Sequence, residues 1–443
     1  MKIITVAVIF LKMTRSNLNL REIFRREENV LWLDSSLRNS ENERSYLFRN
    51  SKKTIETYKL SEVEEKISLV EREVKKGNYA VGFFSYESAF SDLRRASLSL
   101  EKNYNFPLLR FAIFDQAEII STYSGRVLSD RLCREARSSD VAKKNISFGD
   151  KSFPCIEKDL EKPLNNFFVK DIEYELNLKT FQEKIKKIKE KIKFGETFQT
   201  NFTFQTNFTL EGDFFDFYLS KREKQKTPFS ALLSFPDFKI ASFSPELFFR
   251  IKNREIIMQP MKGTSSIKED KVEDQGKKEG IKSSKNLAEN SIIIDLIRND
   301  LGKIAQIDTV KLEKAFEVER YETLLQMTSR IKARLKDNLS LGEIIAALLP
   351  CGSVTGAPKI RTMEIISDLE ESQRKIYCGA LGFFSPEETC FSVPIRTAIL
   401  EKKQSSKSES YRGEMGIGSG ITWYSEARQE HQECLLKSYF IFK

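Results

Sequence analysis

Apolar residues recur along this chain with two different periods. Residues 30–34 (VLWLD) and 79–84 (YAVGFF) are short runs rich in strand-forming side chains, bounded by charged or turn-forming sequence. Residues 61–76 place apolar positions at helical spacing among charges and predict an amphipathic helix. Residues 172–194 predict a long helix that Gly195 ends. Residues 198–210 alternate as a strand does, and residues 286–299 return to the helical period. Between these lie polar stretches. Residues 138–162 read as a linker, 268–285 as a mobile loop, and 402–412 as a hairpin tip or insertion. The first eleven residues (MKIITVAVIFL) are apolar but too short to span a membrane, and predict an edge strand or a start codon placed too far upstream. Strands and helices mix without regular βαβ alternation, which predicts an α+β fold rather than a doubly wound sheet. Two regions are expected, residues 1–155 and 165–443, the second holding the dense motifs.

Composition narrows the possibilities. A chain of 443 residues, 40% hydrophobic and 31% charged, reads as soluble and globular. Its 34 phenylalanines fall largely in strand-like runs and are expected in the core. A net charge of +9 invites a nucleic-acid reading. Acidic residues accompany the excess almost everywhere, however. The densest basic run, residues 184–193 (KIKKIKEKIK), sets Ile185, Ile188 and Ile192 on one helix face and leaves the lysines as its solvated side. No nucleic acid and no membrane partner is therefore expected, and the mild positive field suits a dianionic small substrate. The six cysteines are scattered without a CxxC pair, which argues against a zinc site or disulfide framework and for a reducing, cytoplasmic setting.

The one histidine, His431, excludes two-histidine zinc chemistry. No nucleophile elbow, dinucleotide fingerprint or P-loop is present. Carboxylates are the candidate acids. Glu430, Glu433 and Lys437 share one face if their segment is helical. That face is either a solvated salt-bridged surface or a hard-cation site, for which Glu289, at the start of another helical pattern, could supply an opposing ligand. Residues 352–359 (GSVTGAPK) put small residues before a helical pattern that begins near Ile360, where exposed backbone N–H groups would suit an anion. Arg396 is a charge in a strand-like apolar run, and such an arginine needs a buried acid or a substrate carboxylate.

Taken in order, these segments resemble the chorismate-utilising enzymes. The likeness runs through residues 195–199 (GETFQ), 244–248 (SPELF), 259–264 (QPMKGT), 285–302 (KNLAENSIIIDLIRNDLG), 352–359, 377–382 (YCGALG), 391–397 and 416–437. Residues 31–35, 44–48 and 79–87 are similar to the aminodeoxychorismate-forming branch in particular. The resemblance implies a large β-sandwich of mostly antiparallel sheets flanked by helices, with Mg²⁺ holding chorismate. It implies Glu289 and Glu433 as metal ligands, with Glu430 direct or through water. Arg396, Tyr377 and the backbone of Gly418, Ser419 and Gly420 would hold one substrate carboxylate, with Lys437, Thr355 and Gly356 nearby. Glu246 would be the general acid for the departing C4 hydroxyl. Lys262 would be the nucleophile at C2. Water-adding relatives carry lysine where this chain has Gln199, so water addition is disfavoured. Gln326 stands where many relatives have histidine, Ser419 where glycine or alanine is usual, and Cys351 where glycine is usual. Ammonia would come from a separate glutamine amidotransferase subunit, and a separate aminodeoxychorismate lyase would act on the product. The alternatives are an anthranilate-forming enzyme of the same scaffold and a non-catalytic chorismate- or amino-acid-binding regulator.

Overall fold

The computed structural model describes residues 20–35, 44–95, 104–121, 127–129, 166–266, 280–282, 284–320, 324–403 and 409–442. The apolar N-terminal run, the linker expected at 138–162 and most of the loop expected at 268–285 lie outside these residues.

Two antiparallel sheets face each other. The first runs, edge to edge, through strands 356–357, 199–212, 410–421, 397–402, 238–244, 229–234, 30–34, 44–48, 118–121 and 127–129, with 167–174 also pairing 199–212. The second runs through 261–266, 324–334, 255–259, 247–252, 388–392, 380–384, 79–84, 109–114 and 53–57, with 311–320 pairing 324–334. N-terminal strands are woven into both. Val30–Asp34 pairs with Phe229–Ser234, and Tyr79–Phe84 pairs with Ala380–Phe384. The expected β-sandwich with flanking helices is what the chain forms.

The period-2 pattern explains the layering. Leu31, Val81, Phe83, Leu233, Phe238, Leu381 and Phe383 fill the space between the sheets. Their strand neighbours point outward under helices. Trp32, Leu232, Phe243 and Leu400 pack beneath the helices Leu178–Lys193, Phe214–Lys224 and Ala427–Phe442. Ala80, Phe84, Phe111 and Phe391 pack beneath Val63–Lys75, Ser284–Ile304 and Leu341–Leu348. Most of the described phenylalanines are buried, as expected, although Phe168, Phe194 and Phe198 are exposed.

The helix expected over 172–194 starts later. Residues 167–174 form a strand against 199–212, and Asn177 caps the helix by accepting from the Thr180 amide at 3.0 Å. A cap and an edge pairing override the helical period there. Ile185 and Ile188 are buried on that helix; Lys186, Lys187 and Lys193 are exposed, whereas Lys184 and Lys189 are part-buried and donate to Leu369 O and Ser425 O. Around the tip expected at 402–412, strands Thr397–Lys402 and Ser410–Ile421 pair antiparallel with Lys402 opposite Tyr411, and residues 404–408 lie outside the described residues.

Candidate active site

Two adjacent places where the chain crosses between the sheets carry predicted residues. Strand Phe238–Ser244 belongs to the first sheet and Leu247–Lys252 to the second, which leaves Pro245 and Glu246 at the crossing. Proline has no N–H for the ladder, so pairing stops there. The second crossing joins Glu388–Ser392 to Thr397–Lys402. Arg396 therefore sits in a bend at a positive φ of 53°, not inside a strand as its apolar surroundings suggested. The crossings are tied together. Val393 N donates to Glu246 O at 3.1 Å, Phe243 N donates to Arg396 O at 3.1 Å, and Ser244 Oγ donates to Val393 O at 2.5 Å.

Glu246 is 4% exposed, and its carboxyl accepts from Ser353 Oγ at 2.7 Å. Burial pushes the carboxyl up to about 7, against the opposing pull of the Ser353 hydroxyl, the Lys262 charge and the Met261 backbone. A carboxyl in that range holds its proton through much of the neutral region and can deliver it.

Lys262 lies on strand Met261–Ser266, which slips register against Leu324–Arg334 between Lys262 and Thr264. This bulge, with Gly263 at φ +71°, re-aims the neighbouring side chain. Gln326 Nε2 donates to Gly263 O at 3.2 Å, so the glutamine at that position secures the bulge. Across from Lys262 is the strand Ser410–Ile421. A Cβ on Gly420 would lie 3.6 Å from Lys262 Nζ and 2.9 Å from Gln199 Nε2. Gly420, Gln199 and Lys262 therefore share one small space, and only glycine leaves it open. Four residues earlier, a Cβ on Gly416 would lie 2.2 Å from the Tyr377 ring, which rests directly on the strand. Gln199 Oε1 is buried without a hydrogen-bond partner among the described residues.

The turn at residues 352–356 borders the same space. Thr355 Oγ1 donates to Cys351 O at 3.0 Å, and Gly356 pairs with Thr200. Arg396 is half-buried, and burial pulls its guanidinium below the ordinary arginine value. Its Nη1 donates to Gln225 Oε1 at 2.7 Å. Among the described residues no acid pairs with it.

The helix Ala427–Phe442 carries Glu430, Glu433 and Lys437 on one face, as their spacing requires. Glu430 is buried and accepts from Ser419 Oγ. Glu433 is 56% exposed and pairs with Lys437 at 2.7 Å, while Lys437 Nζ also donates to Gly418 O at 3.0 Å. Glu289 is half-exposed on the helix Ser284–Ile304. Among the described residues no group of three or more acidic, cysteine or histidine side chains is gathered closely enough to hold a metal ion. Glu289, Glu430 and Glu433 offer carboxylate oxygens, the donor type that a hard cation takes.

Two contributors are not singled out by sequence reasoning. Ser353 figures there only as part of a small-residue loop, and Arg374 not at all. A Ser directly before the Val-Thr-Gly turn is the available signal for the first. The second has only the i,i+4 spacing to Glu370 as a local signal, since its other partners, Val354, Asn201 and Glu87, lie 20, 173 and 287 residues away.

The chain belongs to the chorismate binding enzyme family, whose pattern matches residues 28–443. It is 29% identical over 373 residues to aminodeoxychorismate synthase component 1 of Bacillus subtilis, covering 81% of this chain and 75% of that protein. It is 34% identical over 267 residues to the protein of the same name in Escherichia coli, covering 59% of this chain and 57% of that protein. An anthranilate synthase component 1 of Haloarcula marismortui is 32% identical over 260 residues, covering 58% of this chain and 50% of that protein. The chain thus spans about half the length of the second and third of these relatives. The fold matches anthranilate synthase component I of Streptococcus pneumoniae with a TM-score of 0.72 at 22% identity, over 92% of this chain and 94% of that one. No helix among the described residues is long and apolar enough to cross a membrane.

Proposed function

We propose that this chain converts chorismate and ammonia to 4-amino-4-deoxychorismate, as an aminodeoxychorismate synthase component I. The observation that carries this reading is the shared space of Lys262, Gln199 and Gly420, with the charge of Lys262 acting on the buried acid Glu246. An amine and a protonated acid near one another suit a substitution in which one attacks and the other assists departure. The Lys262 Nζ lone pair forms a bond to C2 of chorismate, the amine's proton leaving to solvent or base. The ring double bonds shift, the C4–O bond breaks, and Glu246 supplies the proton that lets hydroxide leave as water. Ammonia then bonds to C4, the double bonds return, and the C2–N bond breaks to release Lys262. Gln199 cannot deprotonate water, which disfavours the competing hydration.

Arg396 would grip one substrate carboxylate, with Tyr377 and the backbone of Gly418, Ser419 and Gly420 beside it and Lys437, Thr355 and Gly356 near the ring. Glu289, Glu430 and Glu433 would hold Mg²⁺, which when bound supplies positive charge against the substrate's carboxylate. A glutamine amidotransferase subunit would deliver ammonia, in keeping with the "component 1" names of the relatives. A separate lyase would take the product to p-aminobenzoate.

The test is product analysis with chorismate, Mg²⁺ and an ammonium salt at mildly alkaline pH, with Lys262→Ala alongside. Aminodeoxychorismate from the native chain, strongly reduced in the variant, supports the reading. Anthranilate with pyruvate assigns the chain to the other branch. No consumption of chorismate, even with an amidotransferase subunit added, supports a binding role only.

A further inference from the structure

Outside the groups that face the substrate, Arg374 is a buried charge whose guanidinium makes four hydrogen bonds. It is 2% exposed. Its Nε donates to Glu370 Oε2 at 2.8 Å and its Nη2 to Glu370 Oε1 at 2.6 Å, a bidentate pair. The remaining donors go to backbone. Nη1 reaches Val354 O at 2.8 Å, and Nη2 reaches Asn201 O at 2.6 Å. Asn201 completes the clamp, since its Nδ2 donates to the same Val354 O at 3.2 Å and its backbone N to Thr355 O at 2.6 Å. The two carbonyls flank a functional seam. Val354 is next to Ser353, whose hydroxyl donates to Glu246, and Asn201 is two residues from Gln199.

The clamp is itself gripped by the N-terminal part of the chain. Glu87 is buried and accepts from the backbone N of Arg374 at 2.6 Å and of Lys375 at 3.0 Å. Tyr86 N donates to Lys375 O at 2.8 Å, and the Tyr86 ring lies 4.3 Å from the guanidinium carbon. A buried ion pair is a poor source of stability, because desolvating both charges offsets most of their attraction. Its product here is placement: one rigid planar fork fixes two carbonyls, a fork that lysine cannot imitate.

We propose that Arg374 is a positioning residue of the reaction. It fixes the turn 352–356 so that Ser353 Oγ addresses Glu246, and Glu87 makes that placement depend on the N-terminal segment. The proposal rests on the C4-amination reading of the site.

A double-mutant cycle tests it, with kcat and KM for chorismate measured under saturating ammonium for the native chain, Arg374→Lys, Ser353→Ala and the pair. Misplacing an acid by about 1 Å costs on the order of 100-fold. Arg374→Lys is expected to lower kcat by about 10- to 100-fold while KM changes by less than about threefold. Ser353→Ala is expected to lower kcat as well, and the double variant should be no slower than the slower single, because both remove the same contact. Effects that multiply overturn the proposal, as does a Ser353→Ala variant with native kcat. If Arg374→Lys does not fold, Glu87→Gln takes its place in the cycle with the same expectation, and native kcat in Glu87→Gln removes the N-terminal dependence. The two levels fail separately. A native chain that makes no C4-aminated product refutes the functional reading. A native chain that makes it, with multiplying effects, refutes only the role of Arg374.

Discussion

Replacing Glu246 by glutamine separates what this carboxyl does for the reaction from what it costs the fold. Burial holds the folded-state value near 7, against an ordinary 4.5. A folded-state value above the unfolded one gives stability that is complete below about 4.5 and is lost as pH rises through about 7. The loss arises because the native state must then hold an unwelcome charge. Each pH unit between the two values corresponds to about 1.4 kcal/mol, so the full penalty above neutrality is on the order of 3 kcal/mol. A glutamine in place of Glu246 cannot ionise, and its carbonyl can still accept from Ser353. Glu246→Gln should therefore match the native chain in urea unfolding at pH 4.5 and exceed it by about 2–3 kcal/mol at pH 8.5, most of the gap opening before pH 7.5. Glu87, also pushed up to about 7 by burial, contributes equally to both proteins and cancels in the difference. Ammonia-dependent turnover should fall by about 100- to 10,000-fold in the same variant, and the native kcat should decline as pH rises through the Glu246 value. Parallel unfolding curves at every pH would refute the burial argument. A variant as active as the native chain would refute the general-acid role.

Other substitutions probe the remaining parts. Without ammonia, the native chain should accumulate an adduct on Lys262 whose intact mass exceeds the protein by chorismate less one water, and Lys262→Met should show none by mass spectrometry. Arg396→Ala should raise KM for chorismate by about 10- to 100-fold with a smaller change in kcat, reflecting loss of a charge-assisted pair worth roughly 1.5–3 kcal/mol; an unchanged KM in steady-state kinetics places the carboxylate elsewhere. Gly420→Ala should cut turnover at nearly native melting temperature, because its Cβ would meet the Gln199 amide at 2.9 Å and stand 3.6 Å from Lys262 Nζ; native kcat there would mean the shared space is not the reaction site.

Much of this was legible in sequence because it is local. The strands at 30–34 and 79–84 lie where their composition put them, and the helix read over 61–76 forms as Val63–Lys75. Glu430, Glu433 and Lys437 needed only the helical period. What escaped was long-range or conformational. The period could not reveal that residues 167–174 find a strand partner before the helix can begin. It could not reveal that Arg396 lies in a bend, since apolar neighbours look alike in a strand and at a crossing. Arg374 meets Glu87 across 287 residues, and no local pattern encodes that meeting.

The weaving of early strands into both sheets governs how this chain must be born. Val30–Asp34 waits for a neighbour near residue 230, and Tyr79–Phe84 for one near residue 380. At about 5–20 residues per second, a ribosome needs roughly 15–60 s to pass from the second of these strands to its partner. Through that interval VLWLD and YAVGFF can pair on one side with residues 44–48 and 109–114, while their other edges stay open, an unpaired apolar edge exposed to other chains until the later partners emerge.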